Sequence, residues 1–302
     1  MHEGSRKAII AALLANLGIA LSKFLAFLFT GAASMLAETV HSLADTGNQA
    51  LLLLGSSRAM RPATAEHPFG YGRERYFWAF VVALVLFSLG SLFAIGEGIE
   101  KLRTPHALES PEWAFGVLFV AVALESLSLR TAIREARHVK QSESWWNFIR
   151  HSKSPELPIV LLEDLGALLG LLFALLGVGF AVLLEEPRYD AVGSIAIGLL
   201  LGAIAVVLAV EMKSLLIGEA ASPADVASIR EAIESAPGIR RVIHLRTLHL
   251  GPEELLVAVK VEVDPAQAAP ALAATIDGAE RHVRARVPAA RVIYVEPDVY
   301  RA

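Results

Sequence analysis

The sequence predicts an all-α membrane bundle of six transmembrane helices, residues 1–213, followed by a small α+β domain, residues 214–302. Three observations lead there. The 302 residues are 55% hydrophobic, with a mean hydropathy of +0.53, more apolar than an ordinary soluble chain. The apolar residues fall in repeated runs, and crossing the hydrocarbon takes roughly 20 of them. After Lys213 the runs stop and short amphipathic patterns begin. Zero cysteines exclude disulfides and thiolate metal ligands, and a net charge of −4 gives no reason to expect nucleic acid as a partner.

The spans fall near 8–30, 33–57, 74–101, 112–136, 157–183 and 190–213. "MHEGSRK" leads directly into the first, which is too long for the apolar core of a cleaved signal peptide, so a retained helix is expected. Orientation follows from the short loops. Arg6 and Lys7, then Arg58, Arg61, Arg73 and Arg75, then Arg134, Arg137, Lys140, Arg150 and Lys153 all fall on one side. The other side carries Lys101, Arg103 and Arg188. Both termini are therefore expected in the cytoplasm, in a multi-pass protein of the bacterial inner membrane surrounded by lipid.

In the tail, Ser222 is a natural N-cap with Pro223 at the first helical position, and Pro237-Gly238 ends that helix. "RRVIHLRTLHL" and "ELLVAVKVEVD" read as strands joined at Gly251-Pro252. Leu255, Val257, Val259, Val261 and Val263 alternate with residues such as Lys260 and Glu262, so one sheet face is buried and one is wet. A helix near 266–286 and a strand in "ARVIYVEP" complete a unit of about 90 residues with no catalytic motif.

Ionisable groups inside the hydrocarbon cost roughly 2.5–3.5 kcal/mol each on insertion scales and call for a reason. The second span carries Glu38, His41, Asp45 and Asn48 on one helical stripe, with His41 and Asp45 one turn apart. The fifth carries Glu163 and Asp164. Hard oxygens from two helices plus one imidazole can form a metal cage. Glu125 and Asn16 stand alone in their spans and read as helix–helix hydrogen-bonding groups. Glu97 and Glu100 read as solvated at a helix end. "HPFGYGRERY" reads as a tight turn at Gly70 and Gly72 followed by an interfacial anchor, and "QSESWWNFIRHSKSPE" as an interfacial segment.

Together "HSLADTGNQ", "HPFGYGRERY", the Asp-bearing fifth span and "LLIGEAA" at the membrane exit resemble the cation diffusion facilitators. "LLED" and "LIGEAA" resemble the zinc-transporter-nine-like branch of that family. The resemblance implies a ferredoxin-like tail, a homodimer, and efflux of a divalent cation, usually Zn2+, against protons. It implies His41, Asp45 and Asp164 as transport ligands. Where the family commonly has a fourth ligand this chain has Val160, so water or a carboxylate, Glu38 or Glu163, is expected to complete the shell, Glu38 having the better geometry. Fewer imidazoles leave Mn2+, Co2+, Ni2+, Fe2+ and Cd2+ as possible cargo beside Zn2+. His67 matches a family loop ligand, with Tyr71 where a histidine is frequent. His244 matches a ligand at the tail interface, with Lys260, Tyr294 and Glu296 where others belong. A lysine there repels a cation.

The expected mechanism is alternating access around a site near the midplane. An imidazole with an ordinary pKa of about 6.5 can exchange a proton for a metal ion. A membrane metalloenzyme is disfavoured because H-E-x-x-H is missing and no nucleophile neighbours a base. The remaining alternative is a diverged, non-transporting relative that serves as a scaffold or metal sensor.

Overall fold

The computed structural model describes residues 3–105, 111–140 and 142–299, with side chains described from Asn16 onward. Among the described residues, six long helices occupy the expected places. They are α1 (Glu3–Thr30), α2 (Ala33–Ala59), α3 (Glu74–Arg103), α4 (Pro111–Lys140), α6 (Glu156–Leu183) and α7 (Arg188–Ile217). A short helix, α5 (Trp145–His151), precedes α6. The last four of the long helices are long and apolar enough to cross a membrane. The described apolar part of α1, Asn16–Thr30, is shorter, and the polar stripe on α2 keeps it out of that class. Arg6 and Lys7 lie outside the described side chains.

Within the helical unit, α3 and α7 approach closely through small residues. A Cβ on Gly98 would sit 2.8 Å from the Ala191 carbonyl, and one on Gly198 would sit 2.8 Å from that of Ser91. Small residues let membrane helices pack backbone to backbone. Between Leu86 and Leu92, α3 widens into a π-helical stretch that ends against this contact. Nothing in the apolar pattern of this span foretells it.

A buried carboxylate ties the far ends of these helices together. Asp190, in the first turn of α7, accepts hydrogen bonds from the Ala33 amide at 2.8 Å and the Ser34 amide at 3.3 Å, and from the Ser34 hydroxyl. It thereby caps α2, neutralising amides that have no helical partner. Lys101 of α3 pairs with Asp190 at 3.1 Å and donates to the Gly31 carbonyl at 2.7 Å. Gly31 turns the chain between α1 and α2 with φ of 60°, where a side chain would be strained. Lys101, counted among the few basic residues of the far side, is thus buried and paired.

At the other end, α5 begins at Ser144, whose hydroxyl accepts from the Asn147 amide. Arg150 pairs with Glu211 of α7 at 2.6 Å and lies over the Trp146 ring. Lys140 lies over Trp145. Aromatic rings with cations above them suit the interfacial reading of this segment.

The tail folds as α8 (Pro223–Glu234), β1 (Ile239–Gly251), β2 (Glu254–Val263), α9 (Ala269–Arg286) and β3 (Val292–Asp298). Ser222 caps α8 as expected. The sheet has β2 in the centre, antiparallel to β1 and parallel to β3. The alternating residues Leu255, Val257, Val259, Val261 and Val263 are all buried, against Ile229 and Ile233 of α8 and Ala279 and Val283 of α9. The helix expected from 266 starts at Ala269, because Asp264 first closes a turn onto the Ala266 and Gln267 amides.

By contacts, residues up to Ser56 with Phe77–Met212 form one compact unit, and Ser57–Tyr76 joins the residues from Lys213 onward in the other. The loop after α2 thus packs with the tail. Gly70 makes the expected tight turn, at φ of 79°. Gly72 serves a different need, since a Cβ there would sit 2.7 Å from the Leu250 carbonyl at the end of β1.

Candidate functional site

A small cavity of about 10 Å³ lies among α1, α2, α4 and α6. That is roughly the room one water molecule or one bare ion requires. Its lining includes Asp45 from α2, Glu125 from α4, and Glu163 and Asp164 from α6. Asn16, Ser42 and Gln49 add uncharged polar groups. Each residue is there for a helical reason. Ser42, Asp45 and Gln49 follow one another at helical spacing along α2, and Asn16 and Ile19 do so on α1.

Of the expected ligands, Asp45 and Asp164 meet at this cavity. His41 is fully buried one turn before Asp45, with its Nδ1 3.5 Å from the Asp45 carboxylate. Neither His41 ring nitrogen has a hydrogen-bond partner among the described residues. A buried imidazole without a partner is costly, so the arrangement suits a group held for an occasional ligand. Asp164 accepts from the Ser128 hydroxyl at 2.9 Å. Glu163 accepts from Asn48 at 2.7 Å, and Asn48 Oδ1 has no partner among the described residues.

Two expectations need correction. Glu38 shares the helical stripe but does not line the cavity; it pairs at 3.0 Å with Lys23 of α1, both side chains fully buried. Helical spacing sets direction, and only the neighbouring helix decides which cavity or charge a residue meets. Glu163, expected to face another helix neighbour, lines the cavity beside Asp164. The 100° between consecutive helical positions straddles the cavity instead of dividing it. Glu125, read as a helix–helix hydrogen-bonding group, also lines the cavity.

Lys23 escaped the sequence reading altogether. The signal was present, since a lysine stands in the middle of "LGIALSKFLAFLF". As they stand, no three His, Asp or Glu side chains among the described residues are close enough to hold an ion.

Elsewhere the expected ligands are not gathered. His67 is exposed, packs edge-on against Tyr71 at 4.6 Å, and takes part in a turn with Thr64. In the tail, His244 Nε2 accepts from Arg246 at 2.7 Å. Lys260, opposite His244 on β2, pairs with Asp298 at 3.0 Å and Glu296 at 3.1 Å. Those hydrogen bonds, Asp298 first, raise the Lys260 pKa above its ordinary value, so a cation already occupies this place.

The family model for the cation efflux transmembrane domain matches residues 9–217, and that for the cation efflux protein cytoplasmic domain matches residues 221–298. The chain belongs to the cation efflux family. The family's members are transporters, not enzymes. A mitochondrial proton-coupled zinc antiporter of Xenopus laevis is 35% identical to this chain, over 87% of the chain and 47% of its own length. The chain thus spans about half the length of that relative. The cation-efflux pump FieF of Pectobacterium atrosepticum is 25% identical over 97% of the chain and 92% of its own length. Among solved structures, a C-terminal domain of MamM is 26% identical, covering 26% of the chain and 94% of its own, with a TM-score of 0.25. The chain belongs to an integral membrane protein, with a small α/β domain after its helices.

Proposed function

We propose that this protein exports a divalent cation, foremost Zn2+, in exchange for protons by alternating access, as a homodimer whose six helices cross the membrane. Both ends would face the cytoplasm of a bacterial cell, in line with the basic loops and with the bacterial pump matched over nearly its whole length. The observation that carries the reading is the acidic cavity among the membrane helices, with the unpartnered His41 beside Asp45. Buried carboxylates at membrane depth are functional groups by default.

In this scheme Asp45 and Asp164 supply the charge that draws a dication out of water. His41 supplies a nitrogen, and Glu163 replaces the ligand missing at Val160. Metal ligands must be deprotonated, so loading releases protons and protonation favours unloading. Asn48 and Ser128 hold the carboxylates in place before the ion arrives. Zinc relatives and the nitrogen-plus-oxygen donor set favour Zn2+, and the oxygen excess lets Mn2+ compete. In the tail, Lys260 already neutralises the acidic groups, so the homodimer should need no metal to form.

Uptake of Zn2+ into vesicles reconstituted with the protein, driven by an imposed pH gradient, tests the reading. Uptake should be saturable and absent from Asp164→Asn. Zinc binding without uptake in the wild type would favour the scaffold or sensor alternative.

A further inference from the structure

Lys23 has no part in the scheme above, yet an ammonium buried inside a membrane bundle is too costly to be incidental. It is fully buried on α1, one turn beyond Ile19, which with Asn16 lines the acidic cavity. Its Nζ donates to Glu38 Oε2 at 3.0 Å and to Ser42 Oγ at 2.7 Å. Ser42 is itself a lining residue of the cavity. The positive charge is therefore one hydroxyl away from the space bounded by Asp45, Glu125, Glu163 and Asp164. The negative partner points elsewhere. Glu38 Oε1 has no hydrogen-bond partner among the described residues and fills a slot on α6 that exists because residue 170 is glycine, where a Cβ would collide with it.

Glu38 precedes His41 by one turn on the same helix, so a free Glu38 carboxylate would be within reach of an ion held by His41 and Asp45. We propose that Lys23 sets the affinity of the ion site, holding Glu38 out of the coordination shell and keeping a fixed positive charge at the cavity edge. A cage of four carboxylates in a low-dielectric bundle binds a dication tightly, and a transporter must also release it. Lys23 keeps the site weak enough to empty. The proposal rests on the cavity being the ion site.

A strut and an affinity-setting charge respond differently to charge removal. Weakening a strut disturbs the site in the same direction whichever partner is lost. A fixed charge acts by its sign. Zinc titration calorimetry on the detergent-purified full chain separates them. Lys23→Met frees a carboxylate and removes a positive charge, so the zinc Kd should fall at least about tenfold, given that each unit charge acts twice on a dication. Glu38→Gln leaves the ammonium uncompensated, and Kd should rise by a similar factor. The double variant Lys23→Met with Glu38→Gln buries no charge and should fall between them, so it keeps the test in force even where Lys23→Met does not fold. Transport should show the matching split, with Lys23→Met lowering KM and kcat together.

Opposite shifts from the two single variants support the proposal, as does a double variant that binds at least about tenfold tighter than Glu38→Gln. Shifts of the same sign, no shift, or a double variant as weak as Glu38→Gln overturn it. Asp164→Asn is the control for the underlying reading. If it leaves the zinc Kd of the wild type unchanged, the cavity is not the ion site and that reading fails by itself.

Discussion

Single residues carry the chemistry, and their expected effects differ in kind. Asp45→Ala and Asp164→Ala should abolish zinc uptake, because each removes a charge that offsets the ion's own desolvation. His41→Gln should reduce uptake and also flatten its dependence on cytoplasmic pH, since an imidazole must be free of its proton to ligate the ion. An unchanged pH profile in that variant would move the proton coupling to the carboxylates. Glu163→Gln should raise KM strongly, for it faces the cavity with its position held by Asn48. The tail behaves oppositely. Lys260 has a raised pKa, so its pairing with Asp298 and Glu296 contributes below the unfolded lysine value of about 10.4 and is lost as pH rises through the folded value. The difference in melting temperature between the wild type and Lys260→Met should therefore be constant from about pH 7 to 9 and shrink only in stronger alkali. A difference that varied across neutral pH would mean another group is involved.

At the scale of elements, the Asp190 cap explains how α2 presents its ligands. The carboxylate fixes the first turn of α2 and is itself charge-balanced by Lys101, so α2 starts from a defined point on α7 and α3. Asp190→Asn should destabilise the protein by roughly 3 kcal/mol, through a weakened cap and an unpaired buried ammonium. A melting temperature within a degree of the wild type would show that the cap is dispensable. The elements themselves were largely legible beforehand. Long apolar runs made six helices visible, and the strict alternation from Leu255 to Val263 made β2 visible together with its buried face. The His41–Asp45 pair was legible for the same periodic reason. What stayed hidden depends on partners from distant parts of the chain. Helical periodicity could not tell that Glu38 would meet Lys23 while Glu163 met the cavity, because both choices belong to neighbouring helices. The role of Gly72 escaped notice for the same reason, being set by the close approach of the Leu250 carbonyl.

At the scale of the whole molecule, topology and assembly give the account its direction. With zero native cysteines, cysteines placed at Pro105 and Pro187 should react with an impermeant reagent added outside, and ones at Ser57 and Ser142 should not. The reverse pattern would invert the bundle and turn efflux into uptake. The purified protein should be dimeric in detergent with a chelator present, given that Lys260 already balances the acidic groups of the tail; dimers seen only with added metal would contradict this. The most direct measurement concerns the ion itself. X-ray absorption at the zinc edge, on protein loaded with one equivalent of zinc, should show a shell of oxygen and nitrogen only, at about 2.0–2.1 Å, with a single imidazole. The imidazole signal should vanish in His41→Gln, and loading should fail in the variant lacking both Asp45 and Asp164. Two or more imidazoles, or a shell unchanged in His41→Gln, would place the bound ion at other histidines and contradict the cavity as the transport site.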